Sequence, residues 1–402
     1  MKAVRYAIYA VLFLVFLDQA VNVVGLGSGF FQGRRVAPFD PPLFSDAQRT
    51  SLMQIDAAAE SGGVPPDSEP FDAELGWAPL AGSRDRWGEY DASGARADGS
   101  PIAAVKSADR LRVAAVGCSF THGQTCAPEE TWPSQLERLR SGQLEVANLG
   151  VFDYGVDQAL LRARRELPRL QPDEVWLGWR PRNTLRITTV YPPALNHARA
   201  SLAFKPRFEL RGSQLELVPC PARTQADVMR LCTDQSAFLK ALDGHDDWVA
   251  RIPLAWAPSG SDWRHHFALP RLLLTLDEAG DRNPEPWLSD RTTSVARLFQ
   301  ALVLQMAEDA QAASARFRLV VLPDRNDLRW RQRTGLQGYW ADPVVQLVDR
   351  GIEVLDVSPA LEALGATDDA DLWLPDGHYG PKLNAAVAEF LATRISRTAV
   401  AR

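Results

Sequence analysis

The sequence predicts a three-layer α/β/α sandwich, in which a central parallel sheet is covered by helices on both faces. From Arg112 onward, apolar runs typical of buried strands alternate with helical patterns, the order expected of a parallel sheet with helical crossovers. The chain has 402 residues, of which 46% are hydrophobic, enough for a sizeable core. Between about Leu185 and Asp290 the alternation breaks, and a hairpin pattern turns at Gly212 and Ser213. We therefore expect an insertion after the third strand, at the edge where substrates bind.

The N-terminus carries a segment of the signal or anchor type. Lys2 and Arg5 precede an apolar run, Tyr6–Leu17, and the apolar character resumes after Asp18 and continues to Leu26. This stretch has about the length that a bilayer requires, and no clean small-residue cleavage site follows it. We expect residues 1–28 to be an uncleaved single-pass anchor rather than a cleaved signal. The basic residues would keep the N-terminus in the cytoplasm, and the rest of the chain would be extracytoplasmic, in the periplasm.

Residues 29–108 differ in composition from the segments on either side. They are rich in Pro, Gly, Asp and Ala, with one plausible helix over Asp46–Glu60 and a turn-rich part that contains Trp77, Trp87 and Tyr90. We expect a juxtamembrane tether and an irregular lead-in that packs on the main domain, residues 109–402.

The main domain is predicted from five strands and five helices. The strands are expected at Leu111–Gly117, Leu144–Asn148, Glu174–Gly178, Phe317–Leu322 and Ile352–Asp356. The helices are expected at Pro128–Arg140, Gln158–Leu167, Thr292–Ala313, Val344–Asp349 and Lys382–Arg394.

Composition excludes several classes of function. The net charge of -6 gives no basic surface for nucleic acid. The glycine-rich Gly25–Gly29 lacks the strand and helix that frame a dinucleotide loop, and His265 and His266 have no companion at metal-ligand spacing. We therefore expect no cofactor and no metal. The cysteine pairs Cys118/Cys126 and Cys220/Cys232 could form disulfides in an exported protein or remain unpaired small apolar residues.

Ser119 is the first candidate for chemistry. It follows Gly117 at the end of the first strand, and open α/β sheets bind ligands at the carboxyl edge of their strands. The next predicted helix carries Glu129 and Glu130 in its first turn, as helix N-termini favour, and its N–H groups would surround Ser119. Thr121 stands where the G-x-S-x-G elbow of α/β-hydrolases requires glycine, so that fold is disfavoured. A serine in such a turn can equally be a cap.

Four short blocks, taken in order, resemble those of the SGNH (GDSL-like) hydrolase superfamily. They read GCSFTHG at 117–123, NLGVFDYG at 148–155, WRPRN at 179–183 and DGH at 376–378. The resemblance extends from Leu111 to about Arg397 apart from the insertion, and the apolar N-terminus followed by DAELGW at 72–77 looks like bacterial envelope members. It implies a flavodoxin-like sandwich and a serine hydrolase.

The resemblance also implies a role for individual residues. Ser119 would be the nucleophile, His378 the general base, and Asp376 the group that orients the imidazole. The oxyanion hole would consist of the backbone N–H of Ser119, a second-block N–H at Asp153 and the side-chain amide of Asn183.

The blocks depart from the family pattern at several positions. Cys118 replaces the usual Asp before the nucleophile, and the triad acid lies two rather than three residues before His378, with Asp371 as a remoter substitute. Asp153 replaces a glycine, and its carboxylate would oppose an oxyanion, so Gly150 or Gly155 could supply the donor instead. Arg182 and Thr184 flank Asn183 in place of the usual Gly-x-Asn-Asp pattern.

The expected reaction is hydrolysis of O-acyl esters on a small molecule or glycan, with acetyl groups of an envelope glycan as the expected substrate. An O-acyltransferase using the same Ser119 and His378 is one alternative. A non-catalytic glycan- or partner-binding protein is another, and Asp153 favours it. Further candidates could instead have no functional role and be solvated, exposed or core residues. They are the arginines Arg180, Arg182 and Arg325 for an anionic substrate, the tryptophans Trp256, Trp263 and Trp287 for sugar stacking, and His122 at the pocket entrance.

Overall fold

The computed structural model describes residues 2–26, 30–31, 34–36, 50, 53–54, 57, 70–85, 87–98, 102–195, 203–248, 266–281 and 283–395. The chain divides into two compact units. We call them the N-terminal unit (residues 1–68, 189–204 and 221–283) and the sheet unit (residues 69–188, 205–220 and 284–402).

The described strands and helices are numbered along the chain. The strands are β1 Phe30–Phe31, β2 Arg34–Arg35, β3 Phe71–Asp72, β4 Gly76–Trp77, β5 Arg84–Asp85, β6 Gly88–Tyr90, β7 Arg96–Ala97, β8 Leu111–Gly117, β9 Leu144–Gly150, β10 Glu174–Trp179, β11 Arg207–Arg211, β12 Gln214–Val218, β13 Arg316–Val321 and β14 Glu353–Asp356. The helices are α1 Lys2–Val21, α2 Ser119–His122, α3 Trp132–Leu139, α4 Val156–Leu170, α5 Pro192–Leu195, α6 Gln225–Thr233, α7 Gln235–Leu242, α8 Ala268–Asp281, α9 Glu285–Leu288, α10 Ser294–Ala312, α11 Arg325–Thr334, α12 Ala341–Asp349, α13 Ser358–Ala363 and α14 Pro381–Ala392.

The sheet unit is built on one eight-stranded sheet, in the order β14-β13-β10-β8-β9-β7-β6-β5. The first five strands in this order pair in parallel. Counted along the chain, they have the order 2-1-3-4-5, the doubly wound flavodoxin-like arrangement, whose ligand crevice opens beside strand 1 and strand 3. These are β8 and β10, so the predicted fold class is confirmed.

Helices cover both faces of the sheet. Along β10, Trp176 stacks on Trp132 of α3 with ring centroids 6.5 Å apart, whereas Trp179 stacks on Phe299 of α10 at 4.2 Å. Residues three apart on a strand point to opposite faces, so α3 and α10 lie on opposite sides. The side of α3 holds a cluster to which α14 contributes Leu383, among other residues. These are the three layers of the predicted sandwich.

The lead-in takes part in the sheet, which differs from the irregular segment expected over residues 29–108. Strands β5, β6 and β7 extend the sheet in antiparallel pairing, and Arg96 of β7 pairs with Asn148 of β9. Strands of two or three residues are too short to show a periodic pattern, which is why the sequence does not reveal them. Most of the helix expected over Asp46–Glu60 lies outside the described residues.

The insertion contributes to both units. In the sheet unit, β11 and β12 form an antiparallel hairpin in which Arg211 pairs with Gln214, which places the turn at Gly212 and Ser213 as predicted. In the N-terminal unit, the rings of Tyr191, Phe204 and Phe238 pack together, with centroids 4.9 to 6.2 Å apart.

The N-terminal unit begins with the exposed apolar helix α1, which a wider π-helical turn continues over Asn22–Leu26. By length and composition, Val4–Leu26 could cross a membrane, and no part of its most apolar 18-residue segment is buried.

All four cysteines lie in the described part of the chain and are buried thiols. Of the two alternatives for Cys118/Cys126 and Cys220/Cys232, the structure has the one without disulfides. Cys126 Sγ donates to Tyr379 O at 3.1 Å and accepts from Asn384 Nδ2 at 3.3 Å. Burial raises the pKa of the Cys126 thiol to about 11, and the neighbouring Glu130 adds to this shift.

Candidate active site

The turn that carries Ser119 depends on close backbone approach. Strand β8 ends at Gly117, whose φ of +154° is a conformation that favours glycine. A Cβ at Gly117 would lie 2.4 Å from both Gly178 O and Thr121 Oγ1. Cys118 precedes the one-turn helix α2 and packs in the core without forming a side-chain cap. Ser119 is the first residue of α2. The helix that is predicted to follow Ser119 begins later, at Trp132, as α3.

His378 and Asp376 reach Ser119 from the far end of the chain. His378 Nε2 lies 2.8 Å from Ser119 Oγ. His378 Nδ1 lies 3.0 Å from Asp376 Oδ2, within ion-pair distance. Asp376 Oδ2 also accepts from Thr125 Oγ1 at 3.0 Å. Partial burial opposes ionisation of Asp376, but its contacts with His378 and Thr125 hold the pKa of this carboxyl below its usual value.

A tight loop fixes the imidazole. Leu374 N donates to His378 O, and Gly377 N donates to Leu374 O, each at 2.8 Å, with Gly377 at a φ of +83°. The ring of Phe120, the residue after the serine, lies 5.0 Å from the His378 ring. Asp371, the remoter acid, is exposed and makes no contact with His378 in the described chain.

The side-chain amide nitrogen of Asn183 has no hydrogen-bond acceptor in the described part of the sheet unit. It lies after β10 in a 3₁₀ helix, Pro181–Thr188, and its Nδ2 is buried without a hydrogen-bond partner there. Its Oδ1 accepts from Arg180 Nη1 at 3.3 Å, which leaves the amide N–H groups for another acceptor. Asn183 lines the same small pocket as Gly117, Cys118 and Gly155. Leaving a buried donor unsatisfied costs about 1–3 kcal/mol, which a bound acceptor would recover.

Asp153 occupies a backbone conformation that explains the family's glycine. Its φ is +61°, in the left-handed region that Gly adopts freely and Asp tolerates. Its buried carboxylate forms an ion pair with Arg186 at 2.6 Å, so a cation offsets the charge expected to oppose an oxyanion.

The alternative second-block donors are already engaged. Gly150 N donates to Asn148 Oδ1, and Gly155 N donates to Gln158 Oε1, each at 3.2 Å. Two of the three second-block candidates therefore already donate to side chains next to them in sequence.

The two arginines of the third block both form ion pairs within the protein. Arg180 Nη2 lies 2.5 Å and Arg182 Nε 3.1 Å from the same Asp324 Oδ2. Burial disfavours the charged forms of Asp324 and Arg180. The two arginines nevertheless hold the pKa of Asp324 below its usual value, and Asp324 raises the pKa of Arg180 above its usual value. The Arg180 guanidinium also lies 4.7 Å from the Phe120 ring centroid.

The other candidates have partners within the fold, lie at partly or fully exposed positions, or fall outside the described residues. His122, expected at the pocket entrance, is instead buried, with Nε2 3.0 Å from Tyr90 Oη. Its burial, together with Arg96 and His378, lowers its pKa well below the usual value, so it is neutral. Arg325 donates to Asp368 O at 2.7 Å. Trp287 is half-buried and His266 exposed, whereas Trp256, Trp263 and His265 lie outside the described residues. The described residues contain no group of side chains suited to a metal.

Arg96 is a residue of the site that the sequence analysis missed. Its buried guanidinium donates to the carbonyl oxygens of His122 at 2.7 Å, Gly123 at 2.6 Å and Cys126 at 2.7 Å. It thereby ties β7 to the loop whose Thr125 contacts Asp376. An isolated arginine in a lead-in gives no sequence signal for such a role.

Among the solved structures that are similar to this chain are the following three. One is a protein from Desulfitobacterium hafniense DCB-2 described as lipolytic and of the G-D-S-L family, with 13% identity, a TM-score of 0.33, and coverage of 71% of this chain and 100% of the other. TesA has 12% identity, a TM-score of 0.35 and coverage of 70% and 96%. The psychrotrophic esterase EstA from Pseudoalteromonas sp., inhibited by monoethylphosphonate, has 11% identity, a TM-score of 0.34 and coverage of 70% and 94%.

No protein-family model and no curated protein matches the sequence. Because identities do not exceed 13% and TM-scores do not exceed 0.35, the chemistry of the site has to be inferred from its own geometry.

Proposed function

We propose that this chain is a serine esterase of the SGNH type that hydrolyses O-acyl esters. The observation that carries the proposal is the 2.8 Å contact between Ser119 Oγ and His378 Nε2, with Asp376 3.0 Å from the other ring nitrogen. A serine hydroxyl is inert at its ordinary pKa, and an adjacent base oriented by a carboxylate is what makes it a nucleophile.

In the proposed reaction, His378 accepts the Ser119 hydroxyl proton as Oγ attacks the ester carbonyl. The tetrahedral oxyanion receives hydrogen bonds from the backbone N–H of Ser119 and Asp153 and from Asn183 Nδ2. Each such donor lowers the barrier by about 2.7–4 kcal/mol. His378 then gives its proton to the departing alkoxide, and a water molecule, activated by the same imidazole, hydrolyses the acyl-enzyme. Asp376 stabilises the imidazolium during both attacks.

We also propose an anchored, extracytoplasmic protein whose natural substrates are acylated glycans of the envelope, with O-acetyl groups as the leading candidates. The exposed apolar stretch Val4–Leu26 supports the anchor, and Lys2 and Arg5 before it favour a cytoplasmic N-terminus. The choice of a glycan as the natural substrate rests only on that location and on the family resemblance.

Hydrolysis of p-nitrophenyl acetate by the full chain tests the proposal. Ser119→Ala and His378→Ala should each lower kcat at least about 10³-fold, because the nucleophile and its base act as one unit. Ser289→Ala, which changes an exposed serine, is the matched control and should leave kcat unchanged.

A folded wild type without activity on p-nitrophenyl esters of any acyl length would contradict the esterase and favour the binding protein. Transfer of the acyl group to an added sugar hydroxyl faster than to water would assign the same two residues to an O-acyltransferase.

A further inference from the structure

In the N-terminal unit, helix α8 begins against the outer end of the apolar helix α1. Leu269 N, in the first turn of α8, donates to Asp18 Oδ1 at 2.9 Å. Ala268 is buried in a cluster with Leu26, and Leu272 packs on the same cluster. The start of α8 therefore lies beside the stretch from Asp18 to Leu26.

This contact gives a partner to the one acidic residue in the candidate span. Asp18 lies eight residues before Leu26, which is about 12 Å along a helix. If Val4–Leu26 crosses a bilayer, the carboxylate lies below the outer boundary, where it is costly unless another group satisfies it. The N–H groups of a first helical turn have no acceptor within their own helix, so Leu269 N suits this position.

Apolar side chains are exposed immediately before α8 and on a second side of it. Phe267, Leu273 and Leu276 are 47%, 58% and 46% exposed. Leu269, Leu273 and Leu276 are spaced i, i+4 and i+7, which places them on one helix face. Leu269 is half-buried, so Leu273 and Leu276 are the exposed members of this stripe. Neighbouring exposed apolar side chains are unfavourable in water and typical of a surface that contacts another apolar phase.

The length of the apolar part of α8 matches the depth at which it starts. Ala268–Leu276 contains nine residues, about 13 Å of helix, close to the distance from Asp18 to Leu26. The first acidic residue of α8 is Asp277, directly after this part. Arg271 is the only charged residue within it.

We propose that the first turns of α8 lie in the outer leaflet of the membrane beside α1, with Phe267, Leu273 and Leu276 against the acyl chains. This lipid-contacting surface goes beyond the esterase reaction and rests on the proposed anchor. It would hold the N-terminal unit to the membrane at a second point.

Spin labels on the full chain, reconstituted into phosphatidylcholine vesicles, test the proposal. Leu273→Cys and Leu276→Cys would each carry a nitroxide, and the parent chain with its four buried thiols measures background labelling. Leu14→Cys, in the middle of α1, reports on the anchor. Leu336→Cys in the sheet unit is the matched control, because Leu336 is 60% exposed and Leu273 58%.

Labels at positions 273 and 276 should relax with dissolved oxygen, which concentrates in lipid, and resist a water-soluble nickel chelate, as the label at 14 should. The label at position 336 should show the reverse.

If the label at position 14 is in lipid while the labels at 273 and 276 respond to nickel as the label at 336 does, the proposal is wrong although the anchor stands. If 14 also responds to nickel, the anchor and the proposal both fail. Shielding of 273 and 276 from both reagents would assign the stripe to a protein contact instead. Esterase activity of the same variants is measured separately, so the proposed reaction does not depend on the outcome.

Discussion

At the scale of single residues, the orientation of the Asn183 amide depends on Arg180. Asn and Asp are nearly the same size, but only an amide presents an N–H to an oxyanion, and only if its oxygen is turned away. The donation from Arg180 Nη1 to Asn183 Oδ1 at 3.3 Å sets that orientation, and Asp324 holds the guanidinium in turn. Arg180 is thus a positioning residue that acts through Asn183.

This role predicts non-additive effects on catalysis. Asn183→Ala should lower kcat for p-nitrophenyl acetate about 10²- to 10³-fold with little change in KM, the usual cost of losing one oxyanion donor. Arg180→Ala should lower kcat about tenfold in the wild type but should have no further effect when combined with Asn183→Ala.

Arg182→Ala is the matched control for this cycle. Arg182 shares Asp324 with Arg180 but makes no hydrogen bond to Asn183 in the described chain, so kcat should fall less than threefold. If the double variant instead shows the product of the two single-variant losses in kcat, Arg180 acts by another route, such as its contact with Phe120.

At the scale of elements, the short strand β7 supports the loop that follows the nucleophile. The Arg96 guanidinium donates to the carbonyl oxygens of Trp87, His122, Gly123 and Cys126. This is one acceptor more than the three N–H groups of a lysine ammonium can serve. The same loop carries Thr125, which contacts Asp376. The antiparallel extension of the sheet is therefore linked to the geometry of the triad.

Arg96→Lys should consequently reduce both stability and activity. We expect a loss of about 2–3 kcal/mol in the free energy of unfolding by urea, because buried carbonyl groups lose charged donors. The value of kcat should fall as Thr125 shifts. Arg84→Lys lies in the same antiparallel extension, in an exposed ion pair with Glu89 at 3.4 Å, and should change stability by less than about 0.5 kcal/mol. Equal stability of the two variants would exclude the proposed support.

At the scale of the whole molecule, local patterns predict the parallel sheet and the order of the blocks. The parallel strands at β8 and β10 are mostly apolar runs, and the first three blocks each lie where a parallel strand ends, so sequence alone brings Ser119 and Asn183 to one edge. Non-local pairings leave no such pattern. The bridge from Arg96 to Asn148 and the buried ion pair of Arg112 with Glu145 at 2.6 Å join residues that look unremarkable in the chain.

A buried carboxyl at the start of α11 links the global stability to pH. Asp327 is buried beside Asp324 at the start of α11, and its Oδ1 accepts from Tyr339 Oη at 2.8 Å. Burial and the charge of Asp324 raise the pKa of Asp327 to about 7, from 3.8. Because the folded value is the higher one, the stabilising effect of protonation is complete below about pH 3.8 and is lost as the pH rises through about 7.

Asp327→Asn should remove this dependence. Between pH 5 and pH 8 the wild type should lose roughly 2 kcal/mol of unfolding free energy relative to the variant. The amide still offers an oxygen to Tyr339, and any contact that it loses costs the same at both pH values. Carboxyls whose pKa is lowered, such as Asp376, act in the opposite direction, but they are present in both proteins and cancel in the difference. Asp371→Asn, at an exposed position, controls for removal of one charge. Urea unfolding at both pH values measures the difference, and parallel curves for wild type and Asp327→Asn would show that Asp327 is ionised throughout this range.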